Sequence, residues 1–212
     1  MGLIDWFRGP PPIAGRADLV DFLDTRAAYL VQKSIYDFAH ACAGMAFDRL
    51  MREPEFVEAM DRSRWRSYPL GLALIAETVH GVLRPAADGM PLAEALREAA
   101  FDAFDRYPIP AMLDAEIWAG ERAELGQRVL GIALHAPKAV KDIPFAVSEQ
   151  LYNNLPIHAK IRGDDREIVI NHLRTNLIRI YDDFSRRADV EGLVLELGVA
   201  EKADAANAAV AG

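Results

Sequence analysis

The amino-acid sequence predicts an all-α fold, a single-domain bundle of about six to eight helices. Large apolar residues recur at intervals of three and four over long stretches, which is the spacing of one helix face. Clusters of proline and glycine separate these stretches. The sequence contains no alternating apolar runs joined by hairpin-turn residues, so no β-sheet is expected.

The chain divides into three segments. Residues 1–16 form an N-terminal arm, because Pro10–Pro12 cannot be helical and separates the first residues from the rest. Residues 17–199 form the helical domain. Residues 200–212 are rich in alanine and lack large apolar side chains, so we expect a frayed tail.

Within the domain, apolar spacing and helix-breaking residues place the individual helices. The predicted segments are 17–51, a helix beginning at Pro54, 68–83, 91–107, 111–134, 145–155, 166–187 and 190–199. Ser67 is expected to cap the helix over 68–83, which is apolar on most sides and therefore central. Residues 136–144 and 156–165 are expected to be polar loops.

Composition excludes several classes of protein. The chain carries 32 acidic and 24 basic residues, a formal net charge of −8, which disfavours nucleic-acid binding. Its single cysteine, Cys42, cannot form a disulfide within the chain or a cysteine-rich zinc site. The first residues lack the pattern of a signal peptide. We therefore expect a cytoplasmic protein, without a cofactor.

The N-terminal arm contains Trp6 and Phe7. Such side chains pack on their own domain in most proteins. They also suit an interface with a protein partner or a membrane surface. Both interpretations remain open, and in either one the arm is a docking segment, either on its own domain or on a partner.

A pair of residues on the central helix, Glu77 and His80, has the Glu-x-x-His spacing of di-iron bundles. Asp37 and His40 repeat that spacing on the first helix. These four residues are the candidate metal ligands. The favoured interpretation is structural, because a carboxylate on so apolar a helix needs an ion-pair or hydrogen-bond partner.

Basic residues cluster in the two predicted loops, against the acidic balance of the chain. They are His135, Lys138, Lys141, His158, Lys160 and Arg162. If the two loops converge, they form a binding site for a phosphate, a carboxylate or an acidic partner. The alternative is a solvated rim paired with nearby carboxylates.

A third candidate is the segment Arg62–Tyr68, in which arginine alternates with aromatic residues. Such a pattern can bind phosphates or stack on bases. At a helix junction a structural role is favoured, with Trp65 and Tyr68 as anchors and the arginines paired with Glu55, Glu58 and Asp61.

Residues 62–79 (RSRWRSYPLGLALIAETV) and 135–144 (HAPKAVKDIP) resemble a poorly characterised family of bacterial all-helical proteins, some of them labelled esterases. The resemblance implies a hydrolase but no catalytic residue. None of the serines lies in a Gly-x-Ser-x-Gly motif.

The leading functional hypothesis is a non-catalytic helical binding or assembly protein with a protein partner, acting alone or at the periphery of a membrane complex. An esterase without the usual serine motif is the alternative. A di-iron-like oxidase and a carrier of a small ligand are further hypotheses.

Overall fold

A computed structural model describes residues 10–87, 91–158 and 166–198 of the chain. Over these ranges the all-α prediction is confirmed, because eight α-helices, three 3₁₀ segments and one isolated backbone bridge account for the regular structure. The helices are α1 (Arg16–Ala43), α2 (Phe47–Leu50), α3 (Pro54–Leu83), α4 (Leu92–Phe104), α5 (Ala115–Gly131), α6 (Ser148–Asn154), α7 (Arg166–Arg187) and α8 (190–198). None of these helices combines the length and the apolar character needed to cross a bilayer.

The two longest helices, α1 and α3, pack against each other at the centre of the bundle. Helices α4 and α5 pack on each other and on α3, α4 also contacts α1, and α7 contacts both central helices. Gly71 permits the close approach of α1, since a Cβ atom there would lie 2.7 Å from the Val31 Cγ2 atom. Gly126 of α5 permits the close approach of α4, since a Cβ atom there would lie 2.7 Å from the ring of Phe101.

The first predicted helix, over 17–51, is interrupted. Helix α1 ends at Ala43, and Gly44 has a φ of 52°, a backbone conformation that glycine adopts without strain. A 3₁₀ turn over Gly44–Ala46 then leads into the short helix α2. The apolar spacing continues across the break because Phe47 is buried, and spacing alone therefore did not reveal it.

The predicted break near Ser67 is wrong. Helix α3 runs without interruption from Pro54 to Leu83 and contains Pro69, while Ser67 is fully buried within the helix and is not its N-cap. Proline removes only one backbone donor from a long helix. The Asn154 side chain donates a hydrogen bond to the backbone oxygen of Arg66 at 3.3 Å, next to the disturbed turn. Burial of the apolar side chains around this turn offsets the lost hydrogen bond.

The inner end of the N-terminal arm packs on the domain. Ile13 is buried, its backbone N–H donates to the Arg187 oxygen at 2.9 Å, and its own oxygen accepts from Asp189 N–H at 2.9 Å. The Arg187 guanidinium also donates to the Pro11 oxygen. Trp6, Phe7 and the tail 200–212 lie outside the described residues.

The segment after α5 differs from the predicted polar loop. Residues Ile132–Leu134 and Val140–Ala146 form 3₁₀ turns, and the second turn buries Ile143 against the core and packs on α7. This packing holds the intervening residues 135–139 over the C-terminal end of α3. Helix α7 has the predicted bounds.

Candidate functional site

A cavity of about 320 Å³ lies at the C-terminal end of α3. We call it the basic cavity, and its polar lining side chains are Glu77, Thr78, His80, Arg84, His135, Lys138 and Tyr181. Its walls come from α3, the segment that follows α5, and α7. Two predicted sites, the Glu-x-x-His pair and the first basic loop, are therefore brought together in one place.

Glu77 has a charged partner, Lys138, as expected for a carboxylate on an apolar helix. The Lys138 Nζ atom donates to the Glu77 Oε1 atom at 2.8 Å, and the His135 Nε2 atom lies 3.7 Å from the same oxygen. The Glu77 side chain is 13% exposed and that of Lys138 is 32% exposed. The expected structural ion pair at Glu77 is confirmed, and it also fixes the loop residue Lys138 over α3.

His80 lies in the wall of the same cavity and is 6% exposed. Burial lowers the pKa of the imidazole, and the nearby Arg84 lowers it further. Glu77 acts in the opposite direction but does not cancel these effects. His80 is consequently neutral near pH 7 and contributes hydrogen-bonding atoms without charge.

The net charge of the cavity is positive. Arg84 is exposed at the end of α3, and no carboxylate among the described residues forms an ion pair with it. Lys138 is balanced by Glu77. His135 adds a ring whose Nδ1 atom is 2.9 Å from the Ala136 oxygen, so that its Nε2 atom faces the cavity side of Glu77. A cavity with one uncompensated guanidinium favours an anionic ligand.

Lys141 and His158, two of the remaining predicted basic residues, do not line the basic cavity. The backbone oxygen of Lys141 accepts a hydrogen bond from Arg174, and its side chain does not line the basic cavity. His158 follows Ile157, which packs on Ala39 and Phe47 near the opposite end of α3. Lys160 and Arg162 are outside the described residues. Among the described residues, only the first of the two loops lines the basic cavity.

The second candidate metal pair is separate from the first. Asp37 accepts a hydrogen bond from Lys33 at 2.7 Å and lies 3.4 Å from the His172 Nε2 atom. The exposed His40 ring packs on Phe47, with centroids 4.9 Å apart. In the part of the chain that the structure describes, no three histidine, cysteine or acidic side chains form a group suited to a metal ion.

The arginine–aromatic segment lies inside α3 and not at a helix junction, and two of its three arginines have acidic partners from the expected set. Arg62 pairs with Glu58 at 2.7 Å and Arg64 pairs with Asp61 at 3.2 Å. Arg66 points instead towards Glu121 of α5, at 3.9 Å, and not towards Glu55. Burial raises the pKa of Glu121, and the Arg66 charge opposes that shift.

Sequence reasoning missed two residues. Arg84 continues the spacing of Glu77 and His80 along one face of α3, which was an available signal. Asp24 lies between Val20 and Ala27 on the buried face of α1 and is only 8% exposed. A carboxylate within an apolar stripe was the sign that a buried polar network existed there.

The hydroxyl groups of Ser34, Ser148 and Thr78 lie against backbone oxygens of their own helices or turns. Ser34 donates to the Leu30 oxygen at 2.7 Å, and Ser148 lies 3.2 Å from the Phe145 oxygen. No serine lines the basic cavity, and the Thr78 hydroxyl donates to the Leu74 oxygen at 2.8 Å. Cys42 is partly buried against the core.

No family model, curated protein or solved structure matches the chain. The resemblance drawn from residues 62–79 and 135–144 therefore stays a prediction.

Proposed function

We propose that this chain is a non-catalytic binding protein of the cytoplasm, and that its basic cavity holds a carboxylate or phosphate group of the molecule it binds. The proposal is carried by Arg84, an exposed guanidinium at the cavity whose charge no described carboxylate neutralises. Guanidinium binds both oxyanions through paired hydrogen bonds.

The size and the polarity of the cavity support this assignment. Its volume of about 320 Å³ is at the lower end of the range typical of small-molecule sites. Ile132 and Ile143 supply apolar walls, while His80, His135 and Lys138 supply hydrogen-bonding groups around Arg84. An acidic group of a small ligand, or an acidic side chain of a partner protein, satisfies the same contacts.

Glu77 sets the affinity for such an anion. It lies beside Lys138 and cancels that charge, so it opposes the entry of a second negative group. Glu77 therefore lowers the affinity for an anion and Arg84 raises it. Removing the two charges should change the affinity in opposite directions, whereas a general loss of structure would weaken binding in both variants.

Titration calorimetry of the full chain with inorganic phosphate and with acetate tests the proposal. Arg84→Gln should weaken binding by about tenfold or more, and Glu77→Gln should strengthen it. Arg52→Gln, which removes an exposed arginine far along the sequence from this site, is the matched control and should have no effect. Binding that is absent, or that is equal in the Arg84→Gln and Arg52→Gln variants, would exclude this function.

A hydrolase would give a different outcome. Turnover of a short acyl ester by the purified chain, abolished by Arg84→Gln or by a serine reagent, would replace the binding proposal with an enzymatic one. Recovery of a protein partner that depends on residues 1–12 would extend the proposal to assembly through the arm.

A further inference from the structure

A second cavity, of about 190 Å³, opens between α1 and α3. We call it the aromatic cavity, and it is lined by Ala28, Val31, Gln32, Arg64, Trp65, Tyr68 and Tyr107. It uses the middle of α3, whereas the basic cavity uses the C-terminal end. Its lining is mostly aromatic and apolar, which indicates a different class of ligand.

Three aromatic rings meet at nearly right angles in its wall. The Trp65 and Tyr107 ring centroids are 5.1 Å apart with an interplanar angle of 64°, and those of Tyr68 and Tyr107 are 5.4 Å apart at 83°. Trp65 and Tyr68 are 6.1 Å apart at 76°. Rings arranged in this way form the corner of a box, and ring faces attract cations through their quadrupoles.

Both tyrosines in this corner are polarised by one buried carboxylate. The hydroxyls of Tyr68 and Tyr107 donate to the Asp24 Oδ1 atom at 2.8 and 2.9 Å. Burial, assisted by Asp24, raises the pKa of both tyrosines, so both hydroxyls stay protonated and continue to donate. A phenol that donates to a carboxylate gains electron density in its ring, which strengthens its attraction for a cation.

The charges behind the cavity also favour a cation. Arg106 lies 2.6 Å from Asp21 and 3.4 Å from Asp24, so two carboxylates share one guanidinium and leave one negative charge. Arg64 at the mouth is balanced by Asp61. The charged groups behind the two tyrosines therefore carry one net negative charge, and the one charged side chain among the described residues that line the cavity, Arg64, is paired with a carboxylate.

A cationic side chain of the protein, Arg64, already packs on one of these rings. The Arg64 guanidinium carbon lies 5.2 Å from the Trp65 ring centroid. Its side chain is 39% exposed and its pairing with Asp61 is on the surface, where ion pairs are weak. Arg64 can move aside at small cost, and it would compete with any cation that entered.

We infer that the aromatic cavity binds a small organic ammonium cation, with Trp65, Tyr68 and Tyr107 as the cage and Arg64 as an internal competitor. Its volume is below the range of sites for drug-sized ligands, so it accepts a compact head group such as a quaternary ammonium. This inference does not depend on anion binding at the basic cavity.

Nuclear magnetic resonance of the full chain provides the test. The probes are choline and 3,3-dimethylbutan-1-ol, which has the same shape but carries no charge. Choline should shift the indole N–H signal of Trp65, assigned with a Trp65→Phe variant among the three tryptophans. The uncharged probe should bind at least about tenfold more weakly, because it lacks the attraction to the rings.

Variants separate the cage from its competitor. Arg64→Gln should strengthen choline binding severalfold, and Tyr107→Phe, which keeps the ring but removes its hydrogen bond to Asp24, should weaken it. Tyr29→Phe on the exposed side of α1 is the matched control and should change nothing. Equal binding of the two probes, or no choline-dependent shift even in the folded Arg64→Gln variant, would overturn the inference.

Discussion

Each of the two cavities on α3 has a carboxylate close by, since Asp24 lies behind the tyrosines of the aromatic cavity and Glu77 lines the basic cavity, but the two carboxylates are held differently. Asp24 is 8% exposed and accepts hydrogen bonds from Tyr68 of α3 and from Tyr107, which follows α4. Glu77 accepts one from Lys138, a residue of a surface segment. Asp24 is therefore held mainly by neutral groups of the bundle, whereas at the end of α3 the cations Arg84 and Lys138 are exposed or partly exposed and a ligand can reach them.

The largest expected effect of this difference is on stability. Asp24→Ala removes the acceptor of two tyrosine hydroxyls at the buried interface of α1, α3 and the residues after α4. Leaving buried donors without a partner should lower the free energy of unfolding by about 2–4 kcal/mol. Urea unfolding followed by circular dichroism measures the change.

Asp21→Ala is the control for this prediction. Asp21 binds the same Arg106, but its side chain is 65% exposed. Its removal should cost less than about 1 kcal/mol, because exposed ion pairs contribute little. Equal losses from the two substitutions would mean that Asp24 is no more important for stability than a surface residue.

Two glycines of α3 also differ between the middle of the helix and its C-terminal end. At Gly71, between the central helices, a Cβ atom would lie 2.7 Å from Val31 and 3.1 Å from the Ala27 oxygen. At Gly81, in the lining of the basic cavity, nothing lies within 4 Å. Gly71→Ala should lower the free energy of unfolding by about 1–3 kcal/mol through overpacking.

Gly81→Ala should instead raise the free energy of unfolding by about 0.5–1 kcal/mol, since alanine favours the helix and space is available. Thermal unfolding of both variants checks the opposite signs. A loss of stability in Gly81→Ala would show that the end of α3 is packed as tightly as its middle.

The helices that could be predicted from sequence are those in which the apolar spacing and the helix-breaking residues indicate the same ends. Helix α7 has the predicted bounds because its period is regular and no proline interrupts it. Helix α3 was divided wrongly at Ser67 because serine is a common N-cap, whereas in the structure Ser67 is buried inside the helix and α3 packs on α1. Local propensity cannot reveal such tertiary packing.

The basic cavity was predictable in part. Spacing placed Glu77 and His80 on one face and indicated that Glu77 needs a partner, but only the folded path of the chain identifies Lys138. That contact joins residues distant in sequence. Asp24 itself was marked by its place in an apolar stripe, but its tyrosine partners could not be identified from sequence, because they come from α3 and from the residues after α4.

A smaller effect is expected on the pH dependence of stability. Burial, with Arg84, lowers the pKa of His80 in the folded chain, so the unfolded chain binds a proton more readily. Stability should therefore fall as the pH decreases below about 6.5, the ordinary pKa of histidine. His80→Gln should make this decrease shallower in urea midpoints measured between neutral and mildly acidic pH.

Burial also lowers the pKa of His172, so part of the decrease should persist in the His80→Gln variant. An unchanged slope in His80→Gln would indicate that the imidazole is protonated as easily in the folded chain as in the unfolded one.

The smallest expected effect is at the ion pair of the basic cavity itself. Lys138→Gln should lower the free energy of unfolding by no more than about 1 kcal/mol, because the lysine is partly exposed and sits on a surface segment. Phosphate binding should nevertheless weaken strongly, since the charge of Glu77 is then uncompensated and repels the anion. Calorimetry and urea unfolding of the same variant separate these effects. A stability loss as large as that of Asp24→Ala would place Lys138 among the structural groups and remove the distinction between the two regions of α3.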